Sequence, residues 1–377
     1  MNVKQFLIML AVTAIMIPIS AVRPMTSLFA TDLGASEAQI GLLTACFSLA
    51  PLFLAVFAGR FIDHFGEKLP VLVGSAALAV ALIAIYALPY LGTVYVAQLL
   101  LGGAQLLTFV ALQNRVASSV PPEERNQAVA SFSLYASIGS MVGPLLGGYA
   151  TEHFGFTLSY LLFSIFALYP LLISVLLIPS ARREDDENSK SHSLKQLFGI
   201  QGLTQAIVIS MLILAALDIF YVYFPLYGSS IGLTPSAIGW VLTMFSLATM
   251  VSRIVLPKLV ALFGKNNVLF YFMLGGAIFY SLVPLFKGLI LLAMVAIIIG
   301  LGLGVVQPLT IIICYNLAPA GRTGEVLATR MAGNRLAQVV IPILFAGLVH
   351  ITGVGAILAI KGALLAAGSF LSKTLPE

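Results

Sequence analysis

Charge is what this chain has least of. Only 9% of its 377 residues are Asp, Glu, Lys or Arg, while 60% are apolar and the mean hydropathy is +1.06. Water-soluble domains carry about 25% charged residues, so the deficit excludes a soluble enzyme or binding module. The 19 basic residues outnumber the 14 acidic ones. They are scattered between apolar runs, however, and do not form the clustered face that nucleic acid requires. Cysteine is scarce too: Cys46 and Cys314 both sit inside apolar runs, which leaves no disulfide framework and no metal knuckle. His64, His153, His192 and His350 all fall in loops or at the ends of apolar runs. No Gly-x-x-x-x-Gly-Lys phosphate loop occurs, which excludes direct ATP drive by this chain alone. No cofactor is expected, and neither is a membrane-embedded hydrolase.

What the chain has is apolar length. A bilayer core of about 30 Å needs roughly 20 apolar residues per helix. Twelve such runs can be read, from 5–29 at the start, with 127–150 and 158–179 in the middle, to 355–372 at the end. The expected fold class is therefore all-α integral membrane, with twelve transmembrane helices. The longest polar stretch, 180–203, is too short for a packed domain and reads as a cytoplasmic linker carrying Arg182-Arg183 and then Glu184-Asp185-Asp186-Glu187. With the N-terminus inside, 13 basic residues fall in cytoplasmic loops or tails and only Lys287 in an outer loop. That bias predicts both termini in the cytoplasm. The expected location is the plasma membrane, which in a bacterium is the inner membrane. Lys4 before an apolar run has the look of a signal peptide, but Arg23-Pro24 lies where a cleavage site would be and the first run is expected to stay in the mature fold.

The chain also repeats. Shifted by 198 positions, Gly34–Gly66 falls on Gly232–Gly264 without a gap, with nine of 33 positions identical. These include Phe47-Ser48-Leu49-Ala50 on Phe245-Ser246-Leu247-Ala248. The same offset puts Pro144 on Pro342 and Gly155 on Gly353. Six runs followed by six more predict two bundles, 1–179 and 204–377. Parallel repeats of six helices are the build of a transporter that rocks one half against the other around a midplane site.

Between the second and third runs the sequence reads Gly59-Arg60-Phe61-Ile62-Asp63-His64-Phe65-Gly66-Glu67-Lys68, expected as a loop. Gly59, Asp63, Gly66 and Lys68 match the Gly-x-Leu-Ala-Asp-Arg-x-Gly-Arg-Lys signature of the major facilitator superfamily, which this stretch resembles; Phe61, Ile62, His64 and Glu67 depart from it. The fifth run carries Gly139-x-x-x-Gly143-Pro144-x-x-Gly147-Gly148. This is a full match to that family's fifth-helix signature and resembles the drug:proton antiporter-like exporters within it. The resemblance implies a cytoplasmic gate in which Asp63 faces the start of span eleven. It also implies that Gly139, Gly143, Pro144, Gly147 and Gly148 form a hinge and outer seal. Independently, small residues every four positions let helices approach closely, and Pro144 removes a helix hydrogen bond. Span four departs from the pattern: the family's Arg four residues before a Gly is Gln98 before Gly102 here. Proton coupling is then carried elsewhere or is absent.

An ionisable group inside a bilayer costs at least about 2.5–3.5 kcal/mol, so each is a functional candidate. Asp218, deep in span seven, is the one acidic residue so placed. The offset sets it opposite Ser20, one turn from Arg23 in span one, and the two are expected to pair or to be bridged by substrate. Span eleven carries Arg330, Asn334 and Gln338 at i, i+4, i+8, with Arg335 beside them, a stripe expected to line water. Gln98, Gln105, Gln307, Tyr221 and Tyr223 complete the polar roster. Arg253 reads as a boundary residue, and Lys361 as a side chain that snorkels outward.

These readings and the resemblance together predict a transporter working by alternating access. A proton-coupled exporter of a small anionic or zwitterionic organic solute, acting as a monomer, is expected. A proton symporter importing an organic anion, or a receptor or scaffold that does not transport, stays open.

Overall fold

Inside a bilayer no water reaches the backbone, so an apolar run must satisfy its own N–H and C=O groups, and a helix does so. The computed structural model describes residues 3–176, 200–319 and 322–375, and every regular element among them is helical. The order begins with α1 (Val3–Asp32), α2 (Glu37–Phe65), α3 (Lys68–Ala87) and α4 (Leu91–Ser118). A helical stretch then runs Arg125–Leu176 and breaks at Gly155, where φ is 76° and ψ 170°. Its parts over 125–154 and 156–176 are α5 and α6. The chain continues with α7 (Leu203–Ser230), α8 (Pro235–Phe263), α9 (Lys265–Leu282), α10 (Leu289–Leu317), α11 (Thr323–Thr352) and α12 (Val354–Leu371).

Eleven apolar helical stretches are long enough to cross a membrane. One of them, Gln127–Val175, has 49 residues, enough for two crossings at about 20 residues each. Divided at Gly155 it yields the twelve spans. The polar linker expected over 180–203 lies outside the described residues as far as 199, and α7 opens at Leu203 behind Gly202.

By packing, the chain divides into two units. One is Met1–Asp185 together with Thr234–Thr243; the other is Asp186–Leu233 together with Met244–Glu377. In the first, α1 lies along the α5–α6 stretch, and α2 and α3 pack on α4. In the second, α7 packs on α11, α12 and α10, and α9 on α10 and α12.

One expectation is corrected. Gly59 to Phe65 is not loop: α2 continues through it to Phe65, and only Gly66 and Glu67 separate α2 from α3. A Cβ at Gly59 would meet nothing within 4 Å, so no neighbour obstructs the helix there. Gly66 is where the chain turns, at φ 70°, a conformation that favours glycine.

Candidate functional site

Polar side chains inside a helical bundle need partners, because an unsatisfied buried group costs about 1–3 kcal/mol. In the second unit the partners come from four helices. Asp218 of α7 is 4% exposed, and its carboxylate Oδ2 accepts a hydrogen bond from the Gln338 amide of α11. The Gln338 Oε1 in turn accepts from the Arg335 guanidinium at 3.0 Å. A chain of two hydrogen bonds thus runs from an arginine through an amide to the carboxylate. One turn back on α11, Asn334 Oδ1 accepts from the Ser210 hydroxyl of α7 at 3.0 Å. Gly333 permits this approach, since a Cβ there would already press on Ile207 and Met211 of α7 at 3.2–3.3 Å. One turn further back, Arg330 is buried and donates to Thr310 Oγ1 of α10 at 3.1 Å. The spacing of 330, 334 and 338 puts all three on one face, and the structure turns that face toward α7 and α10.

Around this core, Gln307 of α10 accepts from the Arg253 guanidinium of α8 at 2.7 Å. Tyr221 and Ser246 share a hydrogen bond of 2.6 Å between α7 and α8. Tyr223 is fully buried on α7.

Sequence reasoning misreads one residue. Lys361 of α12, expected to snorkel outward, is fully buried, and its Nζ has no hydrogen-bond partner among the described residues. The physical reason is Gly362. It brings α12 against the Ser281 hydroxyl and the Ala277 carbonyl of α9, which closes the route to the surface. The neighbouring Tyr280 of α9 donates its hydroxyl to the Ala216 carbonyl at 2.9 Å, at the level of Asp218. Lys361 and Asp218 lie within electrostatic range of each other. A signal was available: the 198-residue offset sets Lys361 on Phe163, a core aromatic.

In the first unit Arg23 of α1 is half-buried with its guanidinium 4.9 Å from the Phe47 ring centre, a cation–π contact. Arg23 and Asp218, expected as a pair, belong to different units. Gln98, at the span-four position where the family has Arg, is buried and donates to Thr26 Oγ1 at 2.9 Å; Thr26 also bonds the Tyr160 hydroxyl at 3.1 Å. Its amide therefore ties α4 to α1 and α6. Gln105 is half-buried on the same helix.

Of the residues expected at the gate, the Asp63 side chain lies outside the described residues, while Lys68 opens α3 half-buried. Glu67, a departure from the signature, is 1% exposed and accepts from the Asn114 amide of α4 at 2.8 Å. The fifth-helix glycines are in contact. Gly139 faces Thr13 and Met16, Gly143 faces Ile17 and Ser20, and Gly147 faces Ala21, so the stripe seats α5 directly on α1. Gly148 instead meets the Pro235 carbonyl at the start of α8, and Gly239 of α8 meets the Pro144 carbonyl. Among the described residues no group of three His, Cys, Asp or Glu could hold a metal ion.

Twelve apolar spans and helices seated on glycines define a polytopic membrane protein. The family model of the Major Facilitator Superfamily matches residues 6–342, and the chain belongs to that family. It is 24% identical over 360 residues to multidrug resistance protein 2 of Bacillus subtilis (strain 168), covering 89% of this chain and 90% of that one. Among solved structures it is similar to the nucleoside transporter NupG, with a TM-score of 0.78 at 15% identity, covering 99% and 98% of the two chains. The D-xylose-proton symporter gives a TM-score of 0.81 at 14% identity, covering 99% and 97%. At these identities the solved structures speak for the fold alone.

Proposed function

We propose that this chain exports a small organic solute across the plasma membrane by alternating access, in exchange for protons. In this reading 1–179 and 204–377 are the rocking halves, both termini are cytoplasmic, and the working unit is a monomer. The observation that carries it is Asp218, a buried carboxylate whose partner on α11 is an amide already engaged by Arg335. Proton arrival removes the carboxylate's charge and with it the reason for Gln338 to hold that rotamer, so the α7–α11 contact responds to protonation. The resemblance to a protein named for multidrug resistance supports the outward direction. Arg23, Arg330 and Arg335 favour a solute with a negative group. An exchange mechanism further requires that the solute compete with the proton, which the ammonium of a zwitterion does at Asp218.

A second reading, symport of an organic anion with a proton, is favoured by Lys361. When Asp218 is ionised, the Lys361 ammonium within its range is compensated. When Asp218 takes up a proton, the ammonium is left uncompensated and attracts an anion. Proton and anion then strengthen each other's binding, and by linkage this must hold in both directions. Mutual strengthening moves both species the same way.

One experiment separates these readings. Solutes found by thermal stabilisation of the purified protein, from anionic, zwitterionic and cationic sets, are titrated at two pH values. Exchange requires weaker binding at the lower pH; symport requires tighter binding. Everted vesicles, compared with whole cells, then give the direction.

A further inference from the structure

A groove of about 570 Å³ runs between α2, α3 and α4 of the first unit. Its walls are apolar except at one end, where Arg60 and His64, one turn apart on α2, reach into it. Both are exposed, and they stand beside the turn at Gly66 where α2 gives way to α3. That is the end of the bundle at which the distribution of basic residues predicts the cytoplasm.

Two glycines stand in its walls in different ways: a Cβ at Gly74 would run into Thr108 and the Ala104 carbonyl of α4, so Gly74 seats the two helices on each other. Gly74 of α3 and Gly103 of α4 both line it. At Gly103 an added Cβ would meet only Leu54 Cδ1 at 3.4 Å and Ala50 Cβ at 3.8 Å, ordinary contacts with α2 side chains and with no backbone. The internal repeat supplies a control. The position 198 residues beyond Gly103 is Leu301, so the second half carries a larger side chain at that place. The small residue in the groove wall at Gly103 is therefore particular to the first half.

An apolar slot in a membrane protein, capped at its inner end by a guanidinium and an imidazole, fits one chemistry: an acyl chain ending in a phosphodiester. Arg presents paired donors to phosphate oxygens. The cytoplasmic leaflet is where anionic lipids meet basic side chains at the surface. We propose that this groove is a binding site for an anionic phospholipid, with one acyl chain lying over Gly103 and the phosphate held by Arg60 and His64. The site is separate from the transport reading and does not depend on it.

The test uses the purified full chain and native mass spectrometry, titrating phosphatidylglycerol against phosphatidylcholine with identical acyl chains. The intact protein is expected to retain one phosphatidylglycerol in preference. Arg60→Gln should lower that retention about five-fold, the loss expected for one basic residue at a bilayer surface, and bring it to the phosphatidylcholine level. Gly103→Leu, which installs the residue of the second half, should reduce retention of both lipids. Lys258→Gln, at the position the repeat sets opposite Arg60, should leave retention unchanged. Melting temperatures without added lipid verify that each variant is folded; should Gly103→Leu fail to fold, Gly103→Ala replaces it. Equal retention of the two lipids by the intact protein overturns the proposal. So does unaltered retention in Arg60→Gln, or an equal loss in Lys258→Gln, which would reduce the effect to nonspecific charge.

Discussion

The two halves of this molecule agree in their backbone and disagree in their chemistry. Six of the seven described glycines with positive φ fall in pairs 198 residues apart: Gly34 and Gly232 at 79° and 86°, Gly66 and Gly264 at 70° and 77°, Gly155 and Gly353 at 76° and 77°. Gly102 of α4 seats against the Phe47 carbonyl of α2, and Gly300 of α10 against the Phe245 carbonyl of α8, the same contact carried forward by 198. At another crossing the glycine has changed helices while the contact stayed. Gly74 of α3 meets the Ala104 carbonyl of α4, whereas Gly302 of α10 meets the Phe272 carbonyl of α9. The polar side chains do not follow. Asp218, Arg330, Asn334 and Lys361 fall on Ser20, Phe132, Ala136 and Phe163, and Phe132, Ala136 and Phe163 are core residues. Turns and helix crossings are constrained by sterics that both halves share, so they persist through divergence. Buried charge is expensive wherever it sits, so it is kept only where it does something.

The largest effect should come from neutralising the charge that has no counterpart. Asp218→Asn is expected to abolish gradient-driven transport in proteoliposomes, a loss of at least about ten-fold, equivalent to about 1.4 kcal/mol. Solute counterflow, which needs no net proton movement, should survive once the solute concentration is raised to offset the lost Asp218 contact. Ser20→Ala, at the matching place in the first half, should change neither. Equal losses in both variants would show that the one-sided polarity is incidental.

Lys361 gives the next effect. Lys361 Nζ makes no hydrogen bond among the described residues, and the nearby Asp218 compensates its charge through space alone. Lys361→Met should therefore shift the melting temperature less favourably with Asp218 in place than in the Asp218→Asn background. If the double variant melts as low as the sum of the singles, the two residues do not act on each other.

The shared packing can be tested symmetrically. A methyl group at Gly102 or Gly300 would sit inside contact distance of a carbonyl oxygen. Each Gly→Ala change should destabilise by about 1–3 kcal/mol, with the two values close. A large difference would mean that the repeated contact carries different strain in the two halves.

How much of this can be read without coordinates follows from what each signal measures. Span number and the repeat are legible, because hydropathy and a fixed offset survive in the letters themselves. The 330, 334, 338 periodicity identifies a face, but periodicity says nothing of what the face meets. That these residues engage Thr310 of α10 and Ser210 and Asp218 of α7, rather than open water in their own unit, is decided by helix packing. Lys361 misleads because its distance to the end of its span suggests a depth from which it can reach the surface. Its fate depends instead on Gly362 and α9, which lie across the bundle. Glu67 reads as a flaw in a signature, and only the bond from Asn114 of α4 gives it a role. Gly59 reads as a break in a helix, yet α2 runs through it, since one glycine without a competing turn costs only about 1 kcal/mol.

The smallest difference between the halves lies at two helix starts. Ser36 accepts the Gln39 N–H, and the Gln39 side chain returns to accept the Ser36 N–H at 2.8 Å, a reciprocal cap on α2. At the matching start of α8, Thr234 accepts the Ala237 N–H at 3.3 Å, and Ala237 has no side chain to return. Glu152, at the end of α5 beyond the apolar run that closes at 150, takes that place and accepts the Ser236 N–H at 2.9 Å. Ser36→Ala should thus cost about 1 kcal/mol, and Thr234→Ala less, since Glu152 still serves the α8 terminus. The two starts should also differ in their response to acid. The hydrogen bonds from Ser236 hold the Glu152 carboxyl below its usual range. A depressed carboxyl stabilises the fold above its unfolded value and loses that contribution as pH falls through the folded one. Lowering the pH from neutral through the carboxylate range should therefore loosen the α8 start while the uncharged α2 cap holds. Hydrogen exchange at Ser236 and Ala237, compared with Gln39, measures it, and parallel pH dependence at the two caps would show that Glu152 does not take the role that Gln39 has in the first half.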